Sequence, residues 1–255
     1  MKPRVVKIGG AALTDAAWLA HLGEHVARAT SPVVVVHGGG PAINELSARL
    51  GLTFTWVDGR RVTSPELMDV VSMVLNGRVN KRIVSALVHA GADALGLSGE
   101  DGGLIVTEYA EEGRLGRVGH VVRVRTELLA WMAQRGLVPV ISPVSRGPDG
   151  EAVNVNADEA AGAIAAALGA PELVFLTDVA GVLDGGDVRS ELTAGEARAL
   201  IESKAATGGM ALKLNAALRA LDMGVQVVRI GRFETLLDEA AGTRVRQETE
   251  VLTCL

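Results

Sequence analysis

Val33-Val34-Val35-Val36-His37-Gly38-Gly39-Gly40-Pro41 decides the fold class. Four apolar β-branched residues read as a strand, the glycine triplet as a turn, and Ile43, Leu46 and Leu50 as the apolar stripe of a following helix. The same unit precedes it. Val5-Val6-Lys7-Ile8 reads as a buried strand ended by Gly9-Gly10. A helix from about Asp15 to Ala29 follows, with Asp15 as N-cap and Trp18, Leu19, Leu22 and Val26 at helical spacing. This βαβα alternation implies an α/β three-layer sandwich, in which a central, mostly parallel sheet is flanked by helices.

Further along, Thr53–Val57 and Asp58-Gly59 read as a strand and turn, and Pro65–Ala90 as one long helix with Leu67, Val70, Val71, Val74 and Leu75 on its apolar face. The glycine-punctuated region from about Ala92 to Arg125 reads as hairpins lying over a sheet face. Then come a helix near Glu127–Arg135, a strand Val138–Ser142, a hairpin around Gly147-Pro148-Asp149-Gly150 and an alanine-rich helix Asp158–Leu168. The strand Leu173–Thr177, a helix Ala194–Ser203, a helix opened by Thr207-Gly208-Gly209-Met210 and a strand Val225–Gly231 complete the pattern. The expected division is an N-terminal lobe over residues 1–170 and a C-terminal lobe over residues 171–255.

The chain has 255 residues, 48% hydrophobic and 22% charged, which suits one α/β domain or two closely packed lobes. Aromatics are only 3%, so Ala, Val, Leu and Ile fill the core and helices can approach the sheet closely. The net charge of −5, with no basic block, argues against a nucleic-acid or acidic-membrane surface. The single cysteine, Cys254, excludes a disulfide framework within the chain. No apolar run spans a membrane and no secretory signal opens the chain, so a cytoplasmic protein is expected.

Attraction for an anion must therefore come from a few local cations. Lys7 lies inside an apolar strand, where an ammonium is costly unless it snorkels at the sheet edge or meets an anion. Lys213 follows the Gly208-Gly209 turn near a helix N-terminus, where a cation opposes the dipole and calls for anionic compensation, unless it is simply exposed. Glycine turns at Gly9-Gly10, Gly38–Gly40 and Gly208-Gly209 let backbone approach a phosphate, although each alone also fits an ordinary tight turn. Arg60-Arg61 could grip a carboxylate by paired hydrogen bonds or form a solvated loop. Asn154, Asn156 and Asp158 alternate along an extended stretch, either as a recognition edge or with one of them as a helix cap.

Other chemistries fit less well. No P-loop or dinucleotide fingerprint is present. His21-Leu22-Gly23-Glu24-His25 matches an inverted zinc-peptidase pattern, but Gly23 weakens the helix and no third ligand is evident, so a solvated helix face is expected and no metal ligand is assigned. Leu97-Ser98-Gly99-Glu100 lacks the second glycine of a nucleophile elbow.

Taken in order, Val6-Lys7-Ile8-Gly9-Gly10, Val36-His37-Gly38-Gly39-Gly40-Pro41, Asp58-Gly59-Arg60-Arg61-Val62-Thr63, Asn154-Val155-Asn156-Ala157-Asp158 and Gly209-Met210-Ala211-Leu212-Lys213 resemble the amino-acid kinase superfamily, and within it the N-acetylglutamate kinases. The resemblance runs from residue 4 to Gly242-Thr243-Arg244. It implies an amino-acid kinase-like fold and ATP-dependent phosphorylation of the γ-carboxylate of N-acetyl-L-glutamate to an acyl phosphate, a step of arginine biosynthesis. It further implies that Lys7 and Lys213 stabilise the moving phosphoryl group, that Asp158 holds both ammonium groups, and that Gly39, Gly40, Arg61 and Asn154 bind the acylated amino acid. Thr177, Asp178, Val179, Ala180, Gly181 and Val182, with Gly9, Gly10, Thr207 and Gly209, would receive Mg-ATP. A homodimer through the helix Pro65–Ala90 is also implied.

Arg60 departs from the family pattern, where an apolar residue is common. Arginine-inhibited members resemble one another in an extra N-terminal helix; this chain opens on its first strand, so neither arginine feedback nor a ring-like hexamer is expected. The rival readings are a sister kinase acting on carrier-linked aminoadipate in lysine biosynthesis, and a non-catalytic nucleotide-binding member of the fold.

Overall fold

The computed structural model describes residues 2–248; Cys254 lies outside the described residues. In chain order the elements are β1 (Arg4–Ile8), α1 (Ala16–Ala27), β2 (Val33–His37), α2 (Gly40–Arg49), β3 (Trp56–Val57), β4 (Arg60–Arg61), α3 (Pro65–Ser72), α4 (Asn80–His89), β5 (Ala94–Ser98), β6 (Ile105–Tyr109), β7 (Gly119–Val124), α5 (Thr126–Gln134) and β8 (Val138–Ser142). They continue with β9 (Val144–Arg146), β10 (Ala152–Asn154), α6 (Ala157–Leu168), β11 (Leu173–Leu176), β12 (Leu183–Asp184), β13 (Asp187–Val188), β14 (Glu191–Thr193), α7 (Ala194–Glu202), α8 (Gly208–Asp222), β15 (Val227–Gly231), α9 (Glu234–Leu237) and β16 (Thr243–Arg246).

Eight strands form one sheet in the order β14-β16-β15-β11-β1-β2-β8-β5. Every neighbouring pair is parallel except β15 against β16. The valine runs show why a strand buried on both faces needs no polar alternation. Val5, Val34 and Val36 enter one core, whereas Val6, Val33 and Val35 enter the other. Residues of α6, α7 and α8 fill the first core, and residues of α1, α3 and α4 fill the second. The sandwich expected from the sequence is the one formed.

Several elements differ from the expected pattern: β12, β13 and β14 were not expected, the strand expected over Thr53–Val57 is only Trp56–Val57, and three further differences follow. Met73–Val79 between α3 and α4 is π-helical, so the long helix has a widened turn that apolar periodicity does not reveal. Ala94–Ser98 is an edge strand of the main sheet beside β8, while the antiparallel β6–β7 pair lies in a separate four-stranded sheet. Thr243–Arg246 was not anticipated: it slots between β14 and β15, and only its sheet partners identify it as a strand.

The zinc-like His-x-x-Glu-His pattern dissolves in α1. Both His21 and His25 lie 6.3 Å from the Phe233 ring, beside Trp18. Gly23 sits where α1 meets α4, and a Cβ there would stand 2.8 Å from both the Ala86 carbonyl oxygen and the Ala90 Cβ. Helix propensity alone favours Gly23→Ala by about 1 kcal/mol, but overpacking against backbone reverses the sign. Gly23→Ala is expected to lower stability by about 1–3 kcal/mol in urea titration.

Candidate active site

The side-chain alternation that builds the sheet also turns a cation of its central strand inward. Val5 faces the core under α6 and α8, so Lys7, two residues on, faces the same layer. Its residue is 7% exposed, and its Nζ lies 2.6 Å from Asp158 Oδ1. Asp158 stands in the first turn of α6, where Asn156 caps the helix by accepting from the Asp158 and Glu159 amides at 2.8 and 3.3 Å. Lys213 reaches the other carboxylate oxygen, with Nζ 3.7 Å from Oδ2. It does so from the second turn of α8, one turn later than expected from its distance to the glycine pair. Small residues meet where α6 packs on α8, with Gly162 opposite Ala220; a Cβ at Gly162 would sit in ordinary contact, 3.5 Å from Ala220 Cβ.

Burial works to raise the Asp158 pKa, but the charges of Lys7 and Lys213 and their hydrogen bonds outweigh it and hold the carboxyl below its usual value. Burial lowers the Lys213 pKa, against the opposing pull of Asp158. Two ammonium groups share one carboxylate, which leaves a partly desolvated surplus of positive charge.

A cavity of about 180 Å³ opens beside this triad. Its polar lining comes from Lys7, Asp158, Gly38–Gly40, Arg60, Arg61, Asn154 and Asn156, and Ile43, Leu75 and Val155 contribute apolar wall. The Arg61 guanidinium is stacked 4.0 Å from the Phe54 ring centroid and 4.5 Å from that of Trp56. Its Nη1 is buried without a hydrogen-bond partner among the described residues, and burial lowers its pKa to about 10. A planar cation so placed retains a donor for an anion entering the cavity. Asn154 Nδ2 donates to Thr63 Oγ1 at 3.3 Å, and Thr63 Oγ1 donates to the Arg61 carbonyl at 2.7 Å, so these residues are bound into one wall.

The glycines serve close approach. A Cβ on Gly9 would meet Lys7 Nζ at 2.9 Å, and one on Gly39 would meet Leu75 Cδ2 at 2.5 Å. The remaining nucleotide candidates do not line this cavity. Thr177–Val182 follow β11 at the carboxyl edge of the sheet, where the Thr177 amide donates to Gly231, Arg232 donates to the Asp178 carbonyl and the Val182 amide donates to Thr243. Thr207 caps α8 without a side-chain hydrogen bond, followed by Gly208 and Gly209. Both segments sit near the carboxyl ends of parallel strands or a helix N-terminus, where α/β folds receive ligands.

Sequence reasoning missed the support beneath the glycine triplet. His37 is fully buried; with its proton on Nδ1 it donates to the Gly38 carbonyl at 2.9 Å, and its Nε2 accepts from Asn80 Nδ2 at 3.1 Å. Asn80 also donates to the Val140 carbonyl at 2.8 Å, tying α4, β2 and β8 together. The parity of His37 with Val33 and Val35 was the available signal, since it points the ring toward α4.

Residues 2–232 match the model of the Amino acid kinase family. The chain belongs to this family. Among its relatives, an acetylglutamate kinase of Roseiflexus sp. (strain RS-1) is 48% identical over 248 residues, covering 96% of this chain and 94% of that protein. An acetylglutamate kinase of Geobacillus kaustophilus is 40% identical, with 98% of each chain covered. Among solved structures of similar fold, smu.665 from Streptococcus mutans UA159 superposes with a TM-score of 0.84 at 28% identity, covering 97% of this chain and 100% of that one. Carbamate kinase from Giardia lamblia, at 17% identity and a TM-score of 0.74, shares the fold. Among the described residues of this family member, no helix is long and apolar enough to cross a membrane.

The His37 environment gives a pH signature. Burial, followed by the charges of Lys7 and Lys81, lowers its pKa from 6.5 to about 4 against the hydrogen bond to Gly38. The unfolded chain therefore binds a proton near pH 6.5 that the fold refuses, and stability falls as pH drops from 6.5 toward 4, by about 3 kcal/mol in total. His37→Asn, which keeps a donor for Gly38, is expected to flatten the pH dependence of urea stability across that window.

Proposed function

We propose that the cavity and triad transfer the γ-phosphoryl group of ATP to the γ-carboxylate of N-acetyl-L-glutamate, giving an acyl phosphate, the acetylglutamate kinase step of arginine biosynthesis. One observation carries this reading: Asp158 bridges Lys7 and Lys213 at the wall of a cavity whose far side holds Arg61 with an unused donor. The acetylglutamate kinase relatives at 40–48% identity over nearly the whole chain support it.

Arg61 and Asn154, with backbone at Gly39 and Gly40, would fix the α-carboxylate and acetyl group of the amino acid. The attacking γ-carboxylate is already ionised at neutral pH, so no general base is needed and positioning and charge neutralisation carry the chemistry. A carboxylate oxygen forms a bond to the γ-phosphorus as the bond to the bridging oxygen breaks, and no proton moves. Lys7 would meet the attacking carboxylate and phosphoryl oxygens, and Lys213 the β-phosphate side where negative charge develops. Gly9 and Gly10, Thr177, Asp178, Val179, Ala180, Gly181 and Val182, together with Thr207 and Gly209, would seat the nucleotide.

Magnesium supplies charge neutralisation on the phosphates when it arrives with ATP. The donor set fits that mode of delivery. The triad carboxylate is occupied by its two lysines, and no cluster of three His, Cys, Asp or Glu side chains exists among the described residues. We further assign residues 1–170 to amino-acid binding and dimerisation and residues 171–255 to nucleotide binding. Met73 and Val88, which leave apolar surface exposed along the long helix, favour a homodimer through that helix. A cytoplasmic location follows from the ATP requirement.

Trapping the product with hydroxylamine in the presence of ATP, magnesium and N-acetylglutamate is expected to give the hydroxamate; carrier-linked aminoadipate in the same assay is expected to give less. Lys7→Ala and Lys213→Ala should each lower kcat by about a hundredfold or more, on the scale of losing one preorganised donor. Arg61→Ala should chiefly raise KM for the amino acid. Wild-type turnover in both lysine variants would overturn the assignment.

A further inference from the structure

The strands β3 and β4 pair over two residues each, Trp56 with Arg61 and Val57 with Arg60. The turn between them holds Asp58 at φ 47° and Gly59 at φ 73°, the doubly left-handed turn that Asp-Gly favours. So short a ribbon does not hold its own shape in water, and its position comes from what it touches. At the root, Arg61 is stacked on Phe54 and Trp56, and the Thr63 amide donates to the Leu115 carbonyl. At the tip there are two further contacts. Gly59 abuts Leu212, whose Cδ2 a Cβ would meet at 2.8 Å, and Arg60 Nη2 lies 3.4 Å from Glu159 Oε2.

These tip contacts fall beside the triad in sequence. Glu159 follows Asp158, and Leu212 precedes Lys213. The Arg60 and Glu159 side chains are only 22% and 15% exposed. The Val121 amide donates to Glu159 Oε1 at 3.1 Å, so the carboxylate is already fixed before Arg60 arrives. An exposed ion pair gains little because two long side chains must be ordered; here one partner is ordered by the backbone of β7 and the pair is partly shielded from water.

We propose that Arg60 and Glu159 form a clasp that holds the hairpin over the cavity, which makes both of them positioning residues for amino-acid binding. The hairpin carries Arg61, so a loose tip lets the guanidinium wander, and the amino acid must then pay the cost of ordering it. The clasp gives Arg60 a physical use beside Arg61, at the tip of the same hairpin. It rests on the reading of the cavity as the N-acetylglutamate site.

The test uses Arg60→Ala, Glu159→Gln, the double variant and Arg60→Lys, with steady-state kinetics and amide hydrogen exchange of residues 56–62 in the ligand-free protein. Each charge-removing single variant is expected to raise KM for N-acetylglutamate by about three- to fivefold, with kcat within about twofold, as for lost uniform binding. The double variant should be no worse than either single one, because both remove the same pair, and Arg60→Lys should keep most of the wild-type KM. Hairpin exchange should quicken in the charge-removing variants and not in Arg60→Lys. Unchanged KM in an active enzyme, multiplying effects in the double variant, or unchanged hairpin exchange would each overturn the clasp. If wild-type protein makes no acyl phosphate from N-acetylglutamate, the substrate reading falls, and the exchange measurement alone decides whether the clasp exists.

Discussion

A single carboxylate, Asp158, holds two ammonium groups in a place where neither would otherwise be stable. Lys7 is nearly buried in the central strand, and Lys213 comes from a helix more than 200 residues later in the chain. Without the carboxylate, two like charges would face one another in a partly dry site, a costly arrangement. With it, they share one negative charge and keep a net positive surplus pointed at the cavity. That surplus is what a transferring phosphoryl group could use, because its charge is spread over the outer oxygens and develops on the leaving β-phosphate, and such charge needs preorganised cations more than it needs a base.

The rest of the fold makes this meeting possible. The central strand lies between β11 and β2, so its carboxyl end opens beside both halves of the sequence. Small residues between α6 and α8 let the two helices close together over that end. The glycine triplet is supported from the opposite layer by His37 and Asn80, and Leu75, from the widened turn of the long helix, presses on Gly39. The cavity is thus framed by both layers of the sandwich. The long helix, where a partner subunit is proposed to pack, thus touches the wall of the cavity through Asn80 and Leu75.

Much of this was legible in the chain. The valine runs announced the parallel sheet because a strand covered on both faces shows no alternation, and Lys7 stood out because it interrupts such a strand. The requirement for an anion near Lys213 was readable from helix electrostatics, and Asp158 lies within ion-pair reach of it. Other features were hidden for physical reasons. The π-helical turn leaves the apolar stripe almost intact, and β16 gains its strand character from its neighbours. The contact of Arg61 with the Phe54 and Trp56 rings, and the reach of Arg60 to Glu159, depend on contacts across about ninety-nine residues of sequence or on hairpin twist that periodicity does not encode.

The most direct measurement is a crystal structure of the protein with ADP, magnesium, aluminium fluoride and N-acetylglutamate, in which the fluoride complex imitates the moving phosphoryl group. Lys7 Nζ and Lys213 Nζ should both lie about 3 Å from its ligands while Asp158 still contacts both ammonium groups. A complex seated elsewhere, with either lysine turned away from it, would contradict the role assigned to the triad.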